Sequence, residues 1–461
     1  MIVDDRPHLL RRRFQTAAVI STAALALTIV LGGVARTASA DTVLSPDIAF
    51  TARPWAVAIT PDGTRAYITH SNDNTVSVLD TTTTPPTVIG APIPVGGFSS
   101  EVAVTPDGTH AYITNYGTGN VSVLDTTTTP PAVTDVPLAV GTFPRGLAIT
   151  PDGTRAYIAR SGDNSVSVID TTTTPPTVIG APVPVGANPV GVAITPDGAR
   201  AYIANAYDNS VSVIDTTTTP PTIIGAPIPV GENPEGVAIT PDGTRAYITN
   251  ARDNSVSVID TTTTPPTIIG APIPVGAYPS GVAITPDGAR AYITNGRDNS
   301  VSVIDTATPP AVIGAPIPVG IFPSRVAITP DGTRAFITNF EGKSVSVIAI
   351  EQSLTITGTP PSGVVGQPYN YAFTVTGKPT PTVTTTGTLP DGLTLNENGV
   401  LSGTPTKAGT FTFTVTASNG IGTPATTNVT IEVTDDALPP GTGSLGSTGS
   451  LGSSTGSWFG G

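Results

Sequence analysis

The sequence predicts an all-β chain, a seven-bladed β-propeller followed by a small β-sandwich. Three observations carry this. The tripeptide Pro-Asp-Gly begins at Pro61, Pro106, Pro151, Pro196, Pro241, Pro286 and Pro330, spaced by 45 residues five times and then by 44. Between these marks runs an alternation of apolar and polar residues with the period of a β-strand. Finally, 49 Gly and 48 Pro in 461 residues, with only 11% charged, describe many short strands joined by many turns.

Each unit parses into four strands. In the unit from Gly236 to Gly276, strand A is Val-Ala-Ile-Thr, and Pro-Asp-Gly then turns the chain, because Pro presets φ and Gly accepts a left-handed conformation. Strand B is Arg-Ala-Tyr-Ile-Thr-Asn, and an Asp-Asn turn leads to strand C, Ser-Val-Ser-Val-Ile-Asp. Strand D, Thr-Ile-Ile-Gly-Ala-Pro-Ile-Pro, has prolines that cannot donate to a ladder, which predicts the outer edge of a blade. Four-stranded units of this length are propeller blades.

Counting strands predicts how the ring closes. There are seven A, B and C strands but six D strands, since after Ser344 to Ile350 the composition changes. The segment Thr42 to Phe50 supplies the missing strand, paired beside the last C strand. These repeats resemble the propellers named for the tetrapeptide Tyr-Val-Thr-Asn, found in surface-layer and related exported proteins. Here the tetrapeptide is mostly Tyr-Ile-Thr-Asn, as at Tyr247 to Asn250 and Tyr292 to Asn295. The resemblance covers about Thr42 to Ile350 and implies the fold. That propeller group includes scaffolds, binding proteins and relatives of lactonases and cofactor-dependent dehydrogenases, so it leaves the function open.

From Leu354 to Val433 a new β pattern begins, with alternation at Tyr371 to Val375 and Phe411 to Val415 and turns at Pro390, Asn398 and Asn419. It suggests a small β-sandwich. The stretch LPDGLTLNENGVLSGTPTKAGTFTFTVTASNG resembles the immunoglobulin-like, cadherin-like modules appended to many bacterial surface proteins, which implies a spacer or adhesion unit. Some related cadherin-type domains bind calcium. Asp391, Asn396, Glu397 and Asn398 offer oxygen atoms, yet a turn-rich hairpin needs no metal, and the structural reading is preferred. No other cofactor is expected. The domain organisation predicted is residues 1–40 signal peptide, 41–351 propeller, 352–434 immunoglobulin-like sandwich and 435–461 a Gly-, Ser- and Thr-rich disordered tail.

The N-terminus reads as an export signal. Arg6, Arg11, Arg12 and Arg13 precede an apolar stretch from Ala17 to Val34, and Ala38-Ser39-Ala40 is a small-residue cleavage site before Asp41. Arg11-Arg12-Arg13-Phe14 resembles a twin-arginine signal, though Gln15 stands where a second apolar residue belongs. The expected localisation is therefore secreted or on a bacterial cell surface or envelope, without a membrane span after cleavage. Removal of the leader leaves 15 basic and 31 acidic residues, which argues against nucleic acid and anionic membranes as partners. The absence of Cys excludes disulfides and thiolate chemistry.

Comparing the units with one another locates a candidate site. The A-to-B turn and the Thr-Thr-Thr-Thr-Pro-Pro connection, which lie on one face, are nearly constant. The D-to-A and B-to-C loops on the other face vary, and seven of the 15 basic residues fall there: Arg53, Arg145, Arg160, Arg252, Arg297, Arg325 and Lys343. Trp55, Glu101, Arg145, Glu235 and Arg325 start the innermost strands and are predicted to ring the channel mouth, where ring-shaped folds hold ligands. Drift in exposed loops of duplicated repeats would produce the same variation. The turn Asp residues are accounted for by local turn hydrogen bonding. His70 is expected to be a solvated loop residue, and His110 occupies the slot that is Arg in other units. The function expected is a non-enzymatic binding or scaffold propeller, with a protein or glycan of the envelope as partner. The alternative is a lactonase-like hydrolase or lyase using Arg145, Glu235, Glu101 and His70 at the channel mouth.

Overall fold

A computed structural model of the protein describes residues 41–134, 137–351, 354–377, 380–419 and 424–435. The expected leader and most of the expected tail lie outside the described residues. All regular structure among the described residues is β.

The seven blades form as the repeats predict. In the first blade, strands A to D are Pro54–Ile59, Arg65–His70, Thr75–Asp80 and Thr87–Pro94, paired antiparallel in that order. The A strands of successive blades, beginning at Pro54, Ser99, Pro144, Pro189, Pro234, Pro279 and Pro323, lie against one another around the axis. Strand D is the outer edge, as its prolines require. In the second, fourth and fifth blades it is not one strand but two short ones, such as Thr222–Ile223 and Ile228–Pro229, both paired with strand C. In the fourth and fifth blades the interruption falls at the Gly-Ala-Pro step, where Gly225 and Gly270 have φ 66° and 64°.

The seventh blade is completed from the other end of the chain. Thr42–Ala49 pairs antiparallel with Ser344–Ala349 as its fourth strand. This seam carries a buried charge. The carboxylate of Asp41 is fully buried, lies 3.1 Å from Arg290 Nη1 and accepts hydrogen bonds from the Tyr292 hydroxyl at 2.5 Å and the Glu351 amide at 2.8 Å. Three segments far apart in sequence meet there: the closing strand, strand B of the sixth blade and the exit from the propeller.

The repeated Tyr-Ile-Thr-Asn now has a physical meaning. Its Tyr and Ile fill the core between blades, with Tyr247 and Ile248 fully buried. Its Thr ties one inner strand to the next: the hydroxyls of Thr114, Thr249 and Thr338 donate to the carbonyls of Arg145, Ser280 and Trp55. The last of these joins the seventh blade to the first. Its Asn donates to a strand C serine, as Asn205 does to Ser212 and Asn250 to Ser257, both at 2.9 Å. The glycine after the outer strand of the preceding blade makes room for that Asn. A β-carbon on Gly186 would lie 2.6 Å from Asn205 Cγ. On the constant face, Arg65, Arg200 and Arg245 donate to Thr126, Thr261 and Thr306 carbonyls in the following blade.

The C-terminal domain is a β-sandwich. One sheet contains Gly363–Val364, Ala425–Thr434, Gly409–Ser418 and Thr382–Gly387, and the other Tyr369–Ala372, Val400–Gly403 and Leu393–Leu395. Leu401, Phe413, Val415 and Ile431 centre its core. The expected strand Tyr371 to Val375 is split: Thr374–Thr376 leaves to pair with Thr355–Thr357, and buried Phe373 stands at the switch. The Asn396 side-chain oxygen accepts from the amides of Asn398 and Val400, so it serves the hairpin turn.

Candidate functional site

The inner strands decide what faces the channel mouth. Their second residues are Trp55, Ser100, Arg145, Val190, Glu235, Ser280 and Ser324, and their third are Ala56, Glu101, Gly146, Gly191, Gly236, Gly281 and Arg325. At four blades the third position is glycine for a steric reason. A β-carbon on Gly191 would overlap the carbonyl oxygen of Glu235 in the next blade. The second and seventh blades depart from this rule and carry opposite charges there. Arg325 Nε donates to Glu101 at 3.1 Å past the first blade, whose own third residue is the small Ala56. Burial works against the charge on Arg325, but Glu101 and Glu235 outweigh it and hold its pKa above the ordinary guanidinium value.

Four of the five predicted residues line one cavity, and the fifth, Glu235, lines its neighbours. Trp55, Glu101, Arg145 and Arg325, with Phe98, Tyr116 and Phe340, line a cavity of about 250 Å³. A channel cavity of about 140 Å³ shares Glu101 and Arg325 with it and adds Glu235. The Arg325 guanidinium stands 5.6 Å from the Trp55 ring centroid, and Arg145 stands 5.2 Å from that of Tyr116. Phe340 meets Trp55 edge to face at 5.4 Å. On the far side Glu235 accepts from the Tyr278 hydroxyl and the Asn233 amide, each at 3.3 Å. The Glu235 charge, with burial added, raises the Tyr278 phenol above its usual pKa.

Loop conformation holds this wall in place. Phe98, Phe143, Tyr278 and Phe322 in the D-to-A loops have φ between 51° and 59°, a left-handed backbone that bulky residues seldom adopt. The B-to-C turns pin them. Asn74, Asn254 and Asn299 accept from the amides of Phe98, Tyr278 and Phe322 through their side-chain oxygens. The Asp residues of these turns act likewise, which corrects the expectation of purely local bonding. Asp163, Asp208, Asp253 and Asp298 reach across to the amides of Thr142, Ala187, Glu232 and Ala277. The Pro-Asp-Gly aspartates do bond locally, as Asp242 does with the Thr240 hydroxyl and Thr244 amide, which lower its pKa.

His70 is a second correction. It is buried at 1% exposure, not solvated, because it occupies the slot of the repeated Asn and makes that residue's bond, Nε2 to Ser77 Oγ at 2.8 Å. Phe50 packs on it at 4.9 Å, and burial lowers its pKa to about 4. It does not line the mouth cavities. His110 lies on the constant face beside Thr109. Sequence reasoning missed Tyr116 and Phe340 as site residues. Both open B-to-C turns where five blades carry Ser, Ala or Gly, so aligning the repeats at that column would have found them. Among the described residues no group of three or more His, Cys, Asp or Glu could hold a metal ion, and no helix is long and apolar enough to cross a membrane.

Comparison with known proteins agrees with this architecture. Residues 52–192 and, overlapping them, 101–276 match the family described as lactonase, 7-bladed beta-propeller. Residues 376–434 match the family described as putative Ig domain. Over these residues the propeller is similar to the lactonase propellers. Among solved structures the chain is similar to hydrazine synthase of Kuenenia stuttgartiensis, 24% identical with TM-score 0.58, covering 66% of this chain and 98% of that one. It is also similar to a functionally unknown protein from Desulfotomaculum acetoxidans, at 17% identity and TM-score 0.51, covering 59% and 90%. A third is a putative 6-phosphogluconolactonase from Bacteroides uniformis, at 18% and TM-score 0.50, covering 57% and 86%. At these identities the likeness is one of fold. No curated protein matches the chain in sequence.

Proposed function

We propose that this chain is an exported envelope or surface protein of the surface-layer propeller kind, whose variable face binds a protein or glycan and whose immunoglobulin-like domain spaces or anchors it. The observation that carries this reading is the set of aromatic loop residues held in left-handed conformations beside an aromatic cavity. Strained backbone is retained where the surroundings enforce it, and it concentrates at recognition sites. The ionic groups at the mouth support binding more than catalysis. Arg325 is satisfied by Glu101, and Glu235 by Tyr278 and Asn233, which leaves neither carboxylate poised as a lone acid or base.

The match to the lactonase family favours a second reading, hydrolysis of a lactone at the same mouth. One experiment separates the two. The full chain is assayed for lactone hydrolysis by pH-stat and, in parallel, for binding to envelope glycans and proteins. The binding reading predicts retention of a partner that Trp55→Ala releases, with hydrolysis at the buffer rate. Lactone turnover that Glu101→Gln abolishes would instead establish the catalytic reading.

A further inference from the structure

A larger cavity, about 640 Å³, opens on the same face over the third to sixth blades, lined among others by Arg145, Arg252, Arg297, Tyr207, Tyr278 and Glu235. We propose that it binds an acidic oligosaccharide, a run of sugar units bearing carboxylate or phosphate groups. The proposal rests on the variable face being a binding surface and adds the chemical class of what it holds.

Charge is the first argument. Arg53, Arg160 and Arg325 on this face are each paired with a carboxylate, Glu341, Asp163 and Glu101 respectively. Among the described residues Arg145, Arg252 and Arg297 have no carboxylate within ion-pair distance. Acidic groups are close by in the chain, but their oxygens are engaged elsewhere. Asp208, Asp253 and Asp298 accept loop amides at 2.6 to 2.7 Å, and Glu235 accepts from Tyr278 and Asn233. The lining itself carries three guanidinium groups and one carboxylate, Glu235. Three guanidinium groups outside any ion pair offer an anion charge-assisted N–H donors that a neutral ligand exploits less.

Geometry supplies the rest. Arg297 stands 5.0 Å from the Tyr278 ring centroid and Arg145 5.2 Å from that of Tyr116. A guanidinium held against a ring keeps N–H donors for the paired hydrogen bonds that carboxylate and phosphate accept. Tyr207 is 74% exposed and offers an uncovered ring face for the C–H side of a sugar. The volume exceeds what one sugar unit fills, and the cavity shares Arg145 and Glu235 with its two smaller neighbours. An extended ligand can follow that continuity, while a small anion would meet only part of it.

The test puts the full chain on an array of oligosaccharides in which each acidic member stands beside a neutral counterpart of equal length. Free galacturonic acid and inorganic phosphate serve as competitors. The proposal expects acidic oligomers to be retained over neutral ones, with retention falling as salt rises. Arg252→Ala with Arg297→Ala should weaken retention by about tenfold or more. Equal retention of neutral counterparts, wild-type retention by the double variant, or competition by the free monomer or phosphate as effective as by the oligomer would each overturn it. Trp55→Ala keeps the two ideas apart. If that change alone releases a bound glycan while the arginine pair does not, the binding reading stands and the acidic site falls.

Discussion

Replacing His70 by Asn, the residue that five other blades carry in the same slot, should change how stability depends on pH. Burial holds the folded-state pKa of His70 at about 4, against an ordinary value of 6.5. Between these values the unfolded chain binds a proton that the folded chain refuses, so stability is full above about pH 6.5 and falls as pH drops toward 4. A shift of that size corresponds to roughly 3 kcal/mol lost across the window, with no further loss from this group below it. Asn titrates nowhere in the range and restores the bond to serine seen at 2.9 Å in other blades, as between Asn250 and Ser257. Chemical denaturation of the wild type and His70→Asn from pH 7 to pH 4 measures the difference directly. The curves should diverge progressively below pH 6.5, with the variant the more stable. Parallel curves would refute the assignment of His70 as a buried neutral member of the blade core.

The remaining predictions concern the ring and its surface. Asp41→Ala leaves Arg290 and the Tyr292 hydroxyl without their buried partner and should cost about 3–5 kcal/mol, lowering the melting temperature by roughly 5–8 °C in calorimetry. Deleting 42–49 should go further and promote aggregation by light scattering, because strand C of the seventh blade becomes an open edge. Gly191→Ala forces a β-carbon onto the Glu235 carbonyl and should destabilise by about 1–3 kcal/mol in denaturant titration. In the Thr-Pro connections the first hydroxyl donates to a buried-turn carbonyl, as Thr81 does to Gly63, and the second to an aspartate, as Thr82 does to Asp80, while Thr84 and Thr129 are exposed. If these loops carry O-linked sugar, the intact mass of the native protein will exceed the sequence mass by hexose steps, with attachment at such exposed positions.

The architecture was legible because it is periodic. A repeated Pro-Asp-Gly, a period-2 pattern and a deficit of one outer strand were enough to place Thr42 in the seventh blade. Single substitutions within the repeat were harder to read. His70 looked like an isolated polar residue at a turn, and only the bond of the repeated Asn to a strand C serine reveals that its column is buried. The turn aspartates looked self-sufficient, yet their partners lie about twenty residues away, in loops brought near by blade geometry. At the mouth, charge at the start of the inner strands marks Glu101, Arg145, Glu235 and Arg325, and the structure places each of them in the lining of a cavity there. That Glu101 and Arg325 pair across the first blade is a relation among three blades that no local pattern contains.

The claim that the variable face is the recognition surface is tested most directly by variants on the two faces measured in one binding experiment. Trp55→Ala with Arg145→Ala removes half-buried side chains that line the mouth cavity, and Arg155→Lys with Arg200→Lys alters the constant face while keeping its charge. Both variants are first shown to melt as cooperatively as the parent, and retention of whatever partner the parent binds is then compared. The account predicts that the first variant loses binding by about tenfold or more while the second binds as the parent does. Loss in the second with retention in the first would contradict it, and the variation among the loops would then be drift.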